Sequence, residues 1–249
     1  ALQSIDGSIT IVAKNLTLAD KTSARIISKK NIVVNLSEKL DIQGVMIPTI
    51  PGMHNLDLII LVNDKGELQA KDIKSGTVYA SNEITWVSTG IIGTQVDIFA
   101  KEIENKGLIS ADKNLKIDTK KILNHESSVI KGANIDIKAE NSFINRGEIR
   151  ENQKELNEFV DPLGNLKIEV SLGGFENYGN ISAQKISILT QKLINSFAGK
   201  VIATNGDIVL TTSVGELINN GEILADKNVK LISESAITNT GKIGADNIL

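Results

Sequence analysis

Short stretches of alternating apolar and polar residues cover most of this chain. An aliphatic-x-aliphatic pair recurs at Leu115/Ile117, Ile135/Ile137, Leu166/Ile168, Ile186/Ile188, Ile208/Leu210 and Val229/Leu231. Residues 15–18, 31–34 and 95–98 follow the same pattern more loosely. A period of two, rich in β-branched residues and separated by Asn, Asp and Gly, is typical of strands and not of helices. The pattern therefore predicts an all-β chain.

A second element repeats at longer intervals along the chain. Asparagines recur at spacings of 19, 21, 32, 18, 24 and 20 residues, namely Asn105, Asn124, Asn145, Asn177, Asn195, Asn219 and Asn239. A large apolar residue stands two positions before each of them, at Ile103, Ile122, Phe143, Phe175, Leu193, Leu217 and Ile237. A glycine stands two positions after most of them, at Gly107, Gly147, Gly179, Gly221 and Gly241. Self-similarity at such a period is the sequence signature of a solenoid.

Three strands of a few residues each, repeated about every twenty residues, make one turn of a three-sided β-helix. We interpret residues 1–249 as one solenoid segment, with turns stacked at the interstrand spacing of about 4.8 Å. Alternation then predicts a core that contains Ile223, Ala225, Val229 and Leu231, with Glu222, Lys230 and Asp226 facing water. We expect the repeated asparagines to adopt left-handed backbone and to stack in an amide ladder. The repeated glycines would supply backbone freedom at the adjacent turn.

Two segments interrupt the repeat. Residues 44–74 fit either a hairpin with its turn at 63–66 or a distorted turn of the solenoid. Residues 150–164 begin with Asn152 and Glu155 in capping-box spacing, which predicts a short helix lying on the solenoid. All prolines of the chain lie in these two segments, as expected if the rest forms ladders that proline cannot complete. Insertions in solenoids either cover the core or form a binding face. We favour the first role here, because only the location of the two segments supports a binding role.

The Asn-x-Gly-x-Ile-x-Ala units that begin at Asn105, Asn177, Asn219 and Asn239 resemble the repeats of a known family. Together with the Asn-aliphatic-x-aliphatic units that follow them, they are similar to the haemagglutinin repeats of filamentous haemagglutinin-like exoproteins. These exoproteins are the large secreted partners of bacterial two-partner secretion systems. The resemblance covers about residues 82–249.

The resemblance implies a right-handed parallel β-helix and a long shaft, secreted or held at the bacterial cell surface. It also implies a role of the full-length protein in adhesion or in contact-dependent toxin delivery. The implied partners are an outer-membrane two-partner secretion transporter and a host or bacterial surface receptor or glycan. The Asn-Pro-Asn motifs typical of the family's secretion domain are absent, so transporter recognition is not assigned to this segment. We expect the chain to be an excised part of a longer protein.

Composition narrows the range of partners and of core structures. Aliphatic residues supply nearly all of the 41% hydrophobic content, because aromatics make up only 3%. The 27 basic and 30 acidic residues are scattered and give a net charge of −3, which provides no electrostatic footprint for nucleic acid. Cysteine is absent, which excludes disulfides and thiolate chemistry. No stretch approaches the roughly twenty apolar residues of a transmembrane helix.

Candidate catalytic residues are scarce. The histidines, His54 and His125, are remote from each other, and no nucleophile or zinc-binding motif surrounds them. His125, beside the Asn124 turn, is expected to be a solvated turn residue. Aspartates follow an alanine at three repeated positions, Asp112, Asp226 and Asp246. Their carboxylates could line up and bind a divalent ion. A lysine follows two of them, however, which favours solvated turns. We therefore expect no catalytic residue, no metal site and no cofactor.

Aromatic rings are the remaining candidates for ligand contacts. Trp86 and Tyr178 could present a flat face to a sugar, although a Trp in a solenoid turn equally often fills the core. The alternative function is therefore a carbohydrate-binding or polysaccharide-degrading β-helix protein. A degrading enzyme would need carboxylates clustered on one sheet, as an acid and base pair or as calcium ligands.

Overall fold

The computed structural model describes residues 2–19, 24–44, 47–49, 58–62, 68–72, 74–80, 85–87, 89–152 and 164–249. Every regular element in these ranges is a strand, and no helix occurs among them. Parallel strands stack in about nine turns of a β-solenoid. The predicted all-β fold and parallel stacking are therefore confirmed. Each turn contributes a strand segment to each of three sheets, which we name face A, face B and face C in chain order.

The first two turns are built from short strands. They are β1 (Leu2–Ser4), β2 (Ile9–Ala13), β3 (Leu16–Leu18), β4 (Arg25–Ser28), β5 (Asn31–Leu36) and β6 (Lys39–Ile42). Face A contains β1 and β4, face B contains β2 and β5, and face C contains β3 and β6. All these pairs are parallel and align like residues, because Ile9 lies opposite Ile32 and Leu16 opposite Leu40. Each column of the core thus begins in these turns.

The first insertion follows the second turn and consists of antiparallel strands. They are β7 (Ile47–Thr49), β8 (Leu58–Val62), β9 (Leu68–Asp72), β10 (Val78–Tyr79) and β11 (Thr85–Val87). The pairing of β8 with β9 aligns Val62 with Leu68, as in a hairpin and not in a solenoid turn. The turn itself, predicted at 63–66, lies outside the described residues. Antiparallel pairing continues through β10 on β9 and β11 on β7, so the insertion extends past residue 74, where we expected it to end.

The remaining turns follow one another from residue 90. Their strands are β12 (Gly90–Asn105), β13 (Leu108–Asn124), β14 (Val129–Gly132), β15 (Asn134–Asn145), β16 (Glu148–Glu151), β17 (Asn165–Asn177), β18 (Asn180–Ala183), β19 (Lys185–Asn195), β20 (Lys200–Ala203), β21 (Ile208–Thr212), β22 (Leu217–Asn219), β23 (Glu222–Ala225), β24 (Asn228–Ser233), β25 (Ile237–Asn239), β26 (Lys242–Gly244) and β27 (Asn247–Ile248). The longest strands bend through corners. For example, β12 pairs in turn with β4, β5 and β6 and so covers all three faces.

The second insertion leaves the stacking of the solenoid unchanged. Residues 153–163, which contain most of the predicted short helix, lie outside the described residues. After them β17 pairs with β15, and Asn165 is aligned with Asn134. On face A, β18 pairs directly with β16, and Asn180 is aligned with Glu148. The chain therefore resumes the same turn at the start of face B.

Inward-facing positions form a core of stacked side chains. Of the residues predicted from the alternation to face inward, Ile223, Ala225 and Val229 are buried, and Leu231 is half-buried against the core. On face C, Phe143 and Phe175 lie in adjacent turns with ring centroids 5.1 Å apart in an edge-to-face arrangement. Aliphatic side chains make up nearly all the rest of this core. The residue type varies within a column, as it does at Ile122, Phe143 and Leu193, but the position stays apolar because each side chain packs on its counterparts above and below.

The glycines of the repeat are needed for space and not for an unusual backbone angle. A Cβ at Gly221 would overlap the carbonyl oxygen of Gly199, and a Cβ at Gly241 would overlap that of Gly221. Left-handed backbone was expected at the repeated asparagines and glycines, and this expectation is wrong. Among the described residues, φ is positive at Ser127, Asn205 and Gly76. The constraint is instead the close approach of successive turns, which leaves no room for a side chain at this corner.

Replacing Gly221 with alanine should therefore destabilise the solenoid. We expect Gly221→Ala to lower the free energy of unfolding by about 1–3 kcal/mol, because the added methyl must displace backbone of the preceding turn. The matched control is Gly174→Ala, whose Cβ would lie at an ordinary 3.4 Å from the carbonyl oxygen of Lys192. Urea unfolding of both variants measures the difference. Equal destabilisation by the two substitutions would contradict the steric explanation.

Candidate functional site: the asparagine corner

Each repeated asparagine is the last residue of a face C strand. They end β12, β13, β15, β17, β19, β22 and β25, at Asn105, Asn124, Asn145, Asn177, Asn195, Asn219 and Asn239. The strand register aligns each one with the next. All but Asn239 are fully buried. We call this column and the turn residues that follow it, between face C and face A, the asparagine corner.

The side-chain amides of the column form one continuous chain of hydrogen bonds. In every link Nδ2 of one asparagine donates to Oδ1 of the asparagine in the next turn, at 2.8 Å. Several also donate to the first carbonyl of the face A strand that follows the next asparagine of the column, as Asn177 does to Lys200 at 3.2 Å and Asn219 to Lys242 at 3.3 Å. A buried amide left without partners costs about 1–3 kcal/mol. Each turn therefore satisfies the amide of the turn before it.

The amide chain starts in the third turn of the solenoid. Below Asn105 the same column position is occupied by Ile42, and below that by Leu18. No asparagine donates to Asn105 from below, and its Oδ1 accepts instead from the backbone N–H of Gly107 at 3.1 Å. The sequence indicated this start, since the repeat is loose before residue 95.

A second, exposed series of amides lies at the corner between faces A and B. Asn134 donates to Asn114 at 3.2 Å, and Asn247 donates to Asn228 at 3.0 Å. Asn228 in turn donates to the carboxylate of Asp207 at 2.7 Å. These are the residues that precede the face B strands, so the frequent asparagine at that position also links neighbouring turns. Because this series is exposed, its hydrogen bonds contribute less than those of the buried column.

Charged side chains cluster on face C where the amide chain begins. The carboxylate of Glu104 accepts from Lys39 Nζ at 2.6 Å, lies 3.0 Å from Lys106 Nζ and 2.9 Å from His125 Nε2. The hydrogen bond from Lys39, followed by that from Lys106, lowers the pKa of Glu104 from 4.5 to about 2. His125, expected to be a solvated turn residue, is half-buried against Glu104. Aligning the repeats on their asparagines would have shown this, because Glu104 precedes Asn105 and His125 follows Asn124.

The two candidate ligand-contact residues belong to different elements of the fold. Tyr178 follows Asn177 at the asparagine corner, where the guanidinium carbon of Arg146 lies 4.9 Å from its ring centroid. Its hydroxyl donates to Glu176 at 2.8 Å, and this hydrogen bond raises the pKa of Tyr178. Trp86 belongs to β11 in the first insertion, where its backbone lies opposite Pro48. The structure therefore does not assemble the two into one site.

Carboxylates do not gather into a metal site in the part of the chain that the structure describes. No group of three or more His, Asp or Glu residues there could hold a metal ion. Asp112 lies within β13, several turns away from Asp226, which follows β23, whereas Asp246 lies in the turn next to Asp226. Asp226 accepts from the backbone N–H of Asn205 at 2.7 Å, as is typical of a turn aspartate. The described ranges also contain no helix long and apolar enough to cross a membrane.

A known bacterial protein is similar to part of this chain. Over 191 residues the chain is 24% identical to "Protein adenylyltransferase and cysteine protease IbpA" of Histophilus somni (strain 2336). The alignment covers 67% of this chain and 4% of that protein. The chain thus spans a small part of the length of its far longer relative. No protein-family model matches the chain, and no solved structure is a significant match.

Breaking the amide chain in its middle should cost more than changing the surface. We expect Asn219→Val to lower the free energy of unfolding by about 2 kcal/mol or more, because the amides of Asn195 and Asn239 each lose a buried partner. The same change at Asn239 should cost less, since Asn239 is exposed. Glu222→Val and Lys230→Val on outward positions serve as controls and should stay within about 0.5 kcal/mol. Equal losses at inward and outward positions would contradict the assigned register.

The Glu104 cluster should make stability fall in acid. The pKa of Glu104 in the folded protein is about 2, below its ordinary value of 4.5. The ionised carboxylate therefore contributes its full stabilisation above pH 4.5, and this stabilisation is lost as the pH falls to 2. We expect Glu104→Gln to lower the melting temperature at pH 7 by about 2–4 °C, the effect of about 1 kcal/mol in a chain of this size. The variant should also show a flatter decline between pH 4.5 and 2 than the wild type. Glu216→Gln, outside the cluster, is the control, and a decline parallel to the wild type in E104Q would contradict the assignment.

Proposed function

We propose that this chain is a structural shaft segment of a large secreted or cell-surface bacterial exoprotein of the filamentous haemagglutinin-like kind. In this proposal it holds a distal binding or toxin region away from the cell. The observation that carries the proposal is the unbroken column from Asn105 to Asn239, in which every turn is joined to the next by the same hydrogen bond. Such a column lets the rod be long and stiff, since it repeats one contact from turn to turn and creates no cavity of its own.

The physics of solenoids supports this role. Each turn contacts only its neighbours, so stability is close to a sum of turn and interface terms, and length can change without a new fold. Turns at about 4.8 Å each make about nine turns roughly 40 Å long. A continuous aliphatic core and a buried amide chain both resist bending, because either would have to open at the convex side. A rod of this kind separates two regions at a fixed distance.

The similarity to a far longer bacterial protein also supports a segment role. That protein is named as an adenylyltransferase and a cysteine protease, and the aligned stretch is 4% of its length. We propose that the aligned stretch is shaft in both proteins and that this chain itself is not an enzyme. The export partner would be an outer-membrane two-partner secretion transporter that acts on the full-length protein. A surface receptor or glycan would meet the distal region.

Deleting whole turns provides a direct test. Removing residues 196–219 joins Asn195 to Asn220 and takes out one complete turn, because Asn195 and Asn219 are aligned in the ladder. We expect this variant to fold cooperatively with a circular dichroism spectrum like that of the parent chain. Removing residues 196–207 takes out half a turn and shifts every later column, so this control should fail to fold. If both deletions behave alike, the modular stacking is contradicted.

The shaft role itself is tested in the full-length protein. Removing residues 106–219 joins Asn105 to Asn220 and should bring the distal region closer to the cell by about 24 Å, or five turns at about 4.8 Å. Electron microscopy of the purified protein measures the rod length, and a cell-binding assay measures function at the distal end. A shortened rod with distal activity intact is the expected result. Unchanged length, or loss of ligand binding with the distal region intact, would contradict the proposal.

A further inference from the structure

A groove with a volume of about 550 Å³ runs along the corner between face B and face C. It extends parallel to the solenoid axis, from Phe99 in β12 to Ser171 in β17. Its floor is a column of small side chains, Ala100, Thr119 and Ala139, which are aligned by the strand register and buried. Small residues let the backbone bend sharply here. The outward side chains before and after the bend therefore project on either side of it and form the two walls of the groove. The groove is thus a product of the repeat and not of an irregular loop.

One wall of the groove is the last outward column of face B. It consists of Phe99, Asp118, Lys138 and Glu169, which lie opposite one another in successive turns. Neighbouring positions along this wall are about 4.8 Å apart, the distance between paired strands. The wall therefore offers one side chain per turn over a length of about 14 Å.

The opposite wall carries the residues that follow the floor in sequence. Lys101 follows Ala100, Lys120 follows Thr119, and Glu140 follows Ala139. Lys120 and Glu140 form an ion pair at 2.8 Å. The lining as a whole holds three lysines and three carboxylates, so its charges cancel. A neutral lining gives no preference to a polyanion or to a polycation.

Phe99 supplies an apolar surface at one end of the groove. Its ring is half-buried, and Lys116 Nζ lies 5.6 Å from the ring centroid on the same face of the solenoid. The chain contains five phenylalanines; Phe143 and Phe175 are in the core, whereas Phe99 and the exposed Phe197 face outward, and of these two Phe99 lines the groove. A ring beside hydrogen-bonding charged groups is a surface on which the C–H face of a sugar can stack.

We propose that this groove binds an uncharged, extended oligosaccharide, with its sugar units following the solenoid axis. A β-1,4-linked pyranose chain is straight, and its unit repeat is close to the spacing of the turns, so each turn can meet one sugar. Ammonium and carboxylate groups in the walls hydrogen-bond to sugar hydroxyls, and the ring of Phe99 stacks on one unit. An extended peptide advances about 3.3 Å per residue and would fall out of step with the turns.

The volume of the groove lies within the range of about 300–1,000 Å³ for small-molecule sites. The groove is open to solvent along its length, so binding should be weak and fast. The inference does not depend on the shaft role. A shaft without a glycan site and a glycan site on a protein that is not a shaft are separate outcomes. The deletion of residues 196–219 spares the groove and tests only the shaft, whereas the deletion of residues 106–219 also removes most of the groove lining.

The test is to titrate this chain with cellohexaose and with chitohexaose and to monitor binding by NMR chemical shifts. We expect both probes to shift amide resonances of β12, β13, β15 and β17 along the groove and to leave face A unperturbed. Maltohexaose, which is helical, and a sulfated heparin hexasaccharide should bind at least tenfold more weakly. Binding of the heparin hexasaccharide more tightly than the neutral probes would overturn the proposal, as would the absence of shifts at millimolar concentrations of both neutral probes.

Variants then locate the binding site. We expect Phe99→Ala to weaken binding about fivefold to tenfold, the effect of losing one stacked ring. Lys138→Glu lies on the outward wall and leaves the core unchanged. It should weaken binding, because it removes an ammonium group and gives the lining a net negative charge. The matched control is Lys230→Glu, an exposed outward lysine of face B in β24, beyond the groove. Melting temperatures report on folding of each variant. Unchanged affinity in both Phe99→Ala and Lys138→Glu would overturn the proposal.

Discussion

The buried amide column is the constraint on which the rest of this structure depends. An asparagine side chain inside an aliphatic core is tolerated only if both its oxygen and its nitrogen find partners. Here the partner is the same residue one turn away, so the amides are satisfied only when successive turns keep strict register. Register at this corner then fixes the positions of the phenylalanine and aliphatic columns, because all belong to the same strands. One polar column therefore specifies the alignment that the apolar core alone would leave degenerate.

Sequence patterns predicted the stacked turns and most inward residues, because inward positions repeat apolar residues, and the corner repeats asparagine, at intervals of about twenty residues outside the insertions. The patterns identified which asparagines share a position but gave the wrong physical reason for the glycines. Gly221 has no room for a side chain because the carbonyl oxygen of Gly199 lies against it. Gly199 belongs to the preceding turn, so the sequence around Gly221 does not show this contact. The contact between Glu104 and His125 was missed for the same reason, since it joins residues 21 apart. The groove beside Phe99 was also missed, because it is formed by four turns together and by no single motif.

The interior and the exterior of the solenoid are under different constraints. Inward positions are restricted by the residue above and below, whereas an outward position needs only to avoid like charges in adjacent turns. The wall of Asp118, Lys138 and Glu169 alternates in sign along the axis in this way. Outward columns are consequently free to acquire a function at little cost in stability. A site on this fold is best sought where an outward column departs from simple charge alternation, as it does at Phe99.

The first insertion lies where the composition of the asparagine column changes. Before it the column position holds Leu18 and Ile42, and after it comes Asn105. Asn105 takes its hydrogen bond from Gly107 and needs nothing from the turn below, so no amide joins the first two turns to the rest. The strands β4, β5 and β6 still pair with β12, and Lys39 still bridges to Glu104 across the junction. Aliphatic packing, backbone ladders and this ion pair hold the junction, and they lack the register specificity of the amides. The hairpin thus enters at a junction that no amide hydrogen bond spans, whereas the second insertion lies between Asn145 and Asn177 and leaves their 2.8 Å hydrogen bond intact.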